Sequence, residues 1–327
     1  MPELSQKITK IALGTAWLGL CLFALFSNAI KFDMPLGYAG LYASMTNELA
    51  NNNFILPQTA SFYGPGGIPF AYPPLGFYLM ACFTKIGLSA IFYLRFAPPL
   101  IGFLALLAFF GLSKTIFSSA PAAMLATLLA AVSPYLYESH IWAAGIVRGL
   151  AFGLFCLAFW AFLKIKPGKT FTSQSILAGV LVGLVTLTHL AYIFFLALWM
   201  GTWMAFRPAE KKWRSIPAIM TGALLTTLPW LTILIQRYGL KIFFQTLNSH
   251  STFSLLDMFG DPRQFSFLLQ LGISELFKTP LLAGLAIMGL GYQLYKKRFE
   301  LPVLFIVPET EGDSGGILRT TSIAFFT

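Results

Sequence analysis

Apolar residues along this chain come in long unbroken runs. They cover residues 11–30, 73–90, 96–112, 119–136, 146–163, 174–188, 190–206, 216–235 and 280–295. Each run approaches the ~20 residues an α-helix needs to cross the ~30 Å hydrocarbon layer of a bilayer. The pattern therefore predicts an all-α polytopic membrane protein of about eight to ten transmembrane helices. The first run follows Lys7 and Lys10 and is longer than a signal-peptide core, so it reads as an uncleaved first span. Residues 1–300 read as one transmembrane domain. In 301–327 the stretch "LPVLFIVP" is too short to span and no further span follows, so this part reads as an incomplete or irregular C-terminal segment.

The polar connections between the runs decide which side is which. Basic residues cluster in four of them: Lys114; Lys164, Lys166 and Lys169; Arg207, Lys211, Lys212 and Arg214; and Lys296, Lys297 and Arg298. If all nine runs cross and the N-terminus is inside, every cluster falls outside. If run 73–90 does not cross, every cluster falls inside with Lys7 and Lys10, which places 13 of the 22 basic residues there. The positive-inside rule prefers the second arrangement. Run 73–90 is then an interfacial or re-entrant helix on the outer face. It opens with Pro73-Pro74, carries Lys85, precedes Arg95, and is rich in Tyr and Phe, which favour the interface. The same parity puts loop 31–72, the turn from Glu138 to Arg148, the turn at His189 and loop 236–279 on one outer face.

Composition agrees and narrows the function. The chain of 327 residues is 57% hydrophobic and only 10% charged, with a mean hydropathy of +0.74. A soluble domain carries about 25% charged residues. The net charge of +10 is thus a topology signal and not a nucleic-acid footprint. Cys21, Cys82 and Cys156 all lie in apolar runs, with no spacing that indicates a metal site or a disulfide. The P-loop, zincin, CxxC and GxSxG motifs of soluble enzymes are absent.

Candidate chemistry gathers on the outer face. Asp33 lies three residues past the first run and opens a long, mostly uncharged loop rich in Asn, Tyr, Gly and Pro, suited to sugar hydroxyls and rings. Read alone, it is also a solvated acid at a helix end, paired with Lys31. Glu138 and His140 sit in the next outer turn. Arg148 opens the following run, where its planar fork suits phosphate oxygens; a pair with Glu138, or snorkelling to the interface, accounts for it equally. His189 breaks what is otherwise a single apolar stretch of excessive length into two spans. It is either a donor to substrate phosphate or sugar, or a histidine satisfied by a backbone carbonyl. In loop 236–279, His250, Asp257, Asp261 and Arg263 have nothing beyond location to mark them.

The order of these features resembles the GT-C superfamily of polyprenyl-phosphate-dependent membrane glycosyltransferases. The matching stretches are "KFDMPLGYAGLYA" with its acid after the first span, the Pro-Pro-Leu helix of "AYPPLGFYLMA", the Arg of "LRFAPPLIGF", and "LAGVLVGLVTLTHLAYIFFLAL" with His189 at its turn, over about residues 8–206. Within that family the chain looks nearest to bacterial and archaeal membrane proteins described as related to 6-pyruvoyl-tetrahydropterin synthase, though nothing in it resembles a pterin enzyme. It departs from the family in two places. Asp33 is not followed by a second acid, as it is in the protein mannosyltransferases, and the second outer turn has a single Glu138 and no acidic pair.

The resemblance implies a GT-C-like bundle in the cytoplasmic (inner) membrane, with a cytoplasmic N-terminus and a juxtamembrane helix in the first outer loop (31–95). It implies a lipid-phosphate sugar donor as substrate and an acceptor that the sequence does not name. Asp33 would be the general base, and Glu138, His140, Arg148, His189, Lys85 and Arg95 would bind substrate. No resident metal or other cofactor is indicated, and the partner surface is the bilayer. Two alternatives stand beside it. A transporter or lipid flippase would show internal repeats and mid-span charges, which are not evident. A non-catalytic assembly subunit would keep the fold without the transfer.

Overall fold

A computed structural model describes residues 2–35, 37–61, 66–132, 142–241, 303–308 and 321–326. The chain divides into two units, 1–237 and 238–327. In the second, strands β3 (Val303–Pro308) and β4 (Thr321–Phe326) pair antiparallel, from Val303↔Phe326 to Pro308↔Thr321. The run predicted at 280–295 lies outside the described residues.

The first unit is built of helices. They are α1 (Pro2–Lys31), α2 (Ala39–Asn51), α3 (Leu75–Lys85), α4 (Ala90–Phe117), α5 (Ala120–Ala131), α6 (Arg148–Leu163), α7 (Ser173–Thr186), α8 (Ala191–Phe206) and α9 (Ile216–Tyr238). A two-residue hairpin of β1 (Thr59–Ala60) and β2 (Ile68–Pro69) lies between α2 and α3, and a 3₁₀ turn (Ala143–Ile146) precedes α6. Local sequence sets the boundaries. Ser89, Ser119 and Thr172 each accept a backbone N–H at the start of α4, α5 and α7, satisfying donors that a helix start leaves orphaned.

Among the described residues, three helices are long and apolar enough to cross a membrane: Ala90–Phe117, Ala143–Leu163 and Lys212–Tyr238, the last two counted with their 3₁₀ turns. The apolar helices Ile11–Ser27, Ala120–Ala131, Ser173–Thr186 and Ala191–Phe206 are shorter. This is a membrane protein by composition and helix length. Its helices also turn Leu104, Leu125, Phe194, Leu198, Met220 and Leu225 outward, a fatty surface that water would not tolerate at this density. Helix α3 has 11 residues, so it is about 16 Å long, half the hydrocarbon thickness. Run 73–90 is therefore too short in its helical part to span.

Helix directions follow from the packing. Trp17 stacks near Phe110 and Leu25 lies against Gly102, so α1 and α4 run antiparallel. Gly153 meets Ala105 and Gly111 meets the Trp160 ring, so α4 and α6 run parallel. Phe155 and Phe159 step along Tyr192, Trp199 and Trp203, so α6 and α8 run parallel. Gly179 packs on Ile219 and Gly222, and Gly183 on Thr226, so α7 and α9 run parallel. At the Gly179–Gly222 contact the backbones touch; a methyl on Gly179 would strike the Ile219 carbonyl.

These directions bring the starts of α1, α7 and α9 to one end of the unit, with the ends of α4, α6 and α8. The described basic loops lie at that end, and one buried side chain ties loop 207–215 to the end of α6. Lys212, 4% exposed, donates from Nζ to the carbonyls of Phe162, Leu163 and Ile165 at 3.2, 2.8 and 2.8 Å. It thereby caps the C-terminus of α6, where a cation suits the helix dipole. Glu210 lies 3.5 Å from Lys212 Nζ and 3.5 Å from Arg207 Nη1, and accepts the Trp203 indole N–H. Gly168 N donates to Glu210 O, closing loop 164–172 onto loop 207–215.

Candidate functional site

The opposite end is assembled around α3. Pro73-Pro74 stops the preceding loop, and the first free helix donor, Leu75 N, goes to Leu187 O at 2.9 Å, in the turn that carries His189. Gly76 lies flat on the 3₁₀ turn before Arg148; any side chain there would collide with the Ile146 carbonyl and Val147. The start of α3 is thus wedged between the two turns that the sequence marked with Arg148 and His189.

Between them lies an aromatic nest. Tyr72 meets His189 edge to face at 6.1 Å, and His189 meets Tyr192 at 5.7 Å. Tyr42, from α2, packs edge-on against Phe77 of α3 at 5.4 Å and shares a hydrogen bond with Tyr72. Tyr38 lies 6.0 Å from Tyr42. Burial pushes the Tyr42 and Tyr72 phenols up, Tyr42 further, and the Arg148 cation pulls both the other way. Half-buried Arg148 is therefore close enough to act on both hydroxyls. A cation with two neutral phenol donors and an imidazole beside it suits an oxyanion such as phosphate.

Asp33 has a different neighbour from the one the sequence offered. Its carboxylate is 3.4 Å from Arg95 Nη1, and Lys31 lies instead over the Phe32 ring. Arg95 Nε also donates to Ala29 O, so Arg95 holds the end of α1 to the start of α4. Asp33 itself is 98% exposed. Lys85 sits at the far end of α3, reaching Asn53 Oδ1 at 3.4 Å, a helix length away from the Leu187 contact. Arg148 and His189 are brought together; Lys85 is not brought to them. Glu138, His140, His250, Asp257, Asp261 and Arg263 lie outside the described residues. Among the described residues no cluster of three His, Cys, Asp or Glu is placed to hold a metal ion.

No protein-family model matches this sequence, and no curated protein is similar to it. Function here rests on the site alone.

Sequence reasoning missed Tyr42, Tyr72 and Tyr192. In a chain that is 16% aromatic nothing distinguishes them before folding. It also missed Arg237, whose Nη1 donates to Leu56 O and Pro57 O, both at 2.8 Å, and so pins the end of α9 to the loop after α2.

Proposed function

We propose that this chain is a membrane glycosyltransferase that moves a sugar from a lipid-phosphate donor to an acceptor on the outer face. The basic end and the N-terminus face the cytoplasm in this reading, and the aromatic nest faces out. The observation that carries it is the convergence of Arg148 and His189 on Tyr72, at the end of the unit opposite the basic loops. The acceptor hydroxyl oxygen attacks the anomeric carbon, the bond from that carbon to the donor phosphate oxygen breaks, and the acceptor proton passes to Asp33. Arg148 offsets the charge left on the phosphate, with the Tyr42 and Tyr72 hydroxyls and His189 as further donors. The lipid chain keeps the phosphate at the membrane surface, where this nest lies.

One observation favours a second reading. The Asp33–Arg95 pair suits equally an acid that only fastens α1 to α4, as expected of a non-catalytic subunit. Purified wild type, Arg148→Ala, Arg148→Lys and Asp33→Asn, assayed with a polyprenyl-phosphate sugar, separate the two. Losing the charge-assisted contact of Arg148 costs about 1.5–3 kcal/mol, so donor affinity falls roughly ten- to hundredfold in Arg148→Ala, and Arg148→Lys, without the fork, recovers little. Asp33→Asn lowers transfer about 10²–10⁴-fold with the fold intact. Unchanged donor affinity in Arg148→Ala overturns the phosphate assignment. Equal transfer by Asp33→Asn removes Asp33 from the chemistry.

A further inference from the structure

The basic end carries a surface that the proposed transfer does not use. Loops 164–172 and 207–215 hold one acid, Glu210, which Lys212 and Arg207 already share. Lys164, Lys166, Lys169, Lys211 and Arg214 are exposed and make no ion pair among the described residues. Membrane topology needs only that such charges lie in loops on one side. It does not need the loops fastened together, as these are. The Gly168 N–H donates to the Glu210 carbonyl at 3.2 Å, so Lys166, Lys169 and Lys211 each lie within two residues of one backbone contact. The Lys169 N–H donates to the Lys166 carbonyl at 3.4 Å, which folds those two lysines into one turn. Lys211 stands in the left-handed region, with φ at 50°, where any residue but glycine is strained. Three ammonium groups anchored this close together repel one another, and an anion among them turns that repulsion into attraction.

The position of the loops and their apolar neighbours say which anion. All three helices long enough to cross a membrane, Ala90–Phe117, Ala143–Leu163 and Lys212–Tyr238, have an end here. The fastened loops therefore stand where hydrocarbon gives way to lipid headgroups. Phe171, Phe206 and Trp213 are exposed in or beside them, and the Arg214 guanidinium lies 5.5 Å from the centre of the Trp213 ring. Cations mixed with large exposed aromatics suit the surface of an anionic bilayer, which takes both. An acidic protein segment answers the charges and leaves three large apolar side chains in water. We infer that the fastened loops bind the phosphate of an anionic phospholipid in the adjoining leaflet, with Lys166, Lys169 and Lys211 as its cationic cradle and Trp213 at headgroup level beside it. Lysine acts here as a point charge. The inference is independent of glycosyl transfer and of Arg148.

The test is titration of the purified full chain in detergent with phosphatidylglycerol and, separately, with phosphatidylcholine, which has a phosphate and no net charge. The first bound lipid is read by native mass spectrometry. Phosphatidylglycerol binds with saturation and phosphatidylcholine does not, and added salt weakens the first. Each cation at an anionic lipid surface is worth about fivefold in affinity. Lys166→Gln or Lys169→Gln therefore weakens binding about fivefold, and Lys166→Gln, Lys169→Gln and Lys211→Gly together weaken it about a hundredfold. Lys211→Gly alone also relieves the left-handed backbone, so binding falls while the melting temperature holds or rises, a combination that a damaged fold does not give. Lys31→Gln removes a charge from the opposite end and leaves binding unchanged. Equal binding of the two lipids, or a triple variant that binds like wild type, overturns the inference. Displacement of the lipid by equimolar inorganic phosphate or by polyglutamate also overturns it, because the loops then read a soluble anion.

Discussion

Replacing Lys212 with Met tests the architecture that separates the two ends. The substitution keeps the length and apolar stem and removes the ammonium. Three carbonyls at the C-terminus of α6 lose their donor, and Glu210 loses one of its two cations. Removing one partner of a buried charge pair typically costs about 3–5 kcal/mol. Two features keep the effect inside that range. Glu210 is 27% exposed and retains Arg207, and the Leu163 carbonyl is only part-buried. For a unit of this size each kcal/mol moves the melting temperature by about 2–4 °C, so a fall of about 10 °C is expected in detergent. Lys211→Met is the control. Lys211 is the exposed neighbour and makes no ion pair among the described residues, and its loss changes stability by less than about 0.5 kcal/mol. Equal melting temperatures for Lys212→Met and wild type would refute the claim that this side chain fastens the basic loops together.

Other measurements reach other parts of the fold. Gly179→Ala forces a methyl into the Ile219 carbonyl and loses about 1–3 kcal/mol by overpacking, whereas Gly201→Ala, with nothing within 4 Å of the added carbon, is neutral or slightly stabilising; thermal scans of both decide. Cysteine labelling of Lys166→Cys and Asn52→Cys in a Cys82→Ser background is expected from opposite sides of the membrane, and labelling of both from one side breaks the topology. The raised Tyr42 and Tyr72 phenols stay neutral in the fold above the usual value near 10. The unfolded chain then gives up those protons first, so stability is full below pH ~10 and falls as pH rises beyond it. Ultraviolet titration of wild type against Tyr42→Phe is expected to lose one late-ionising phenol.

The charge pattern carried much of this structure. Counting lysines and arginines set the parity that kept run 73–90 from crossing, and the helical part of that run is only 11 residues long. The same count assigned the basic loops to one end, because interfacial charge is a property of position along the chain and survives without tertiary detail. What one sequence did not reveal was side-chain partnership. Lys31 is the nearest cation to Asp33 in sequence, yet Arg95 takes the carboxylate, because the antiparallel packing of α1 and α4 brings residues 29–33 and 95 together. Lys212 looked like one more loop lysine and is buried as a helix cap. "GVLVG" did carry a readable signal, since two glycines four apart on an apolar helix let another backbone approach closely. Arg148 and His189 were legible as polar residues at span ends. The tyrosines around them became visible only when α2 and α3 were folded onto the two turns.

The Lys212 cap has a consequence for how the chain is made. The carbonyls at the end of α6 precede their donor by about fifty positions, so they leave the ribosome well before it. During that interval the three carbonyls lack the Lys212 donor, and loop 164–172 lacks the Glu210 carbonyl that it closes against. The basic end therefore locks late, when residue 212 emerges and not when α6 forms. A nascent chain halted before that point presents a complete apolar helix whose last carbonyls have not yet met their buried donor.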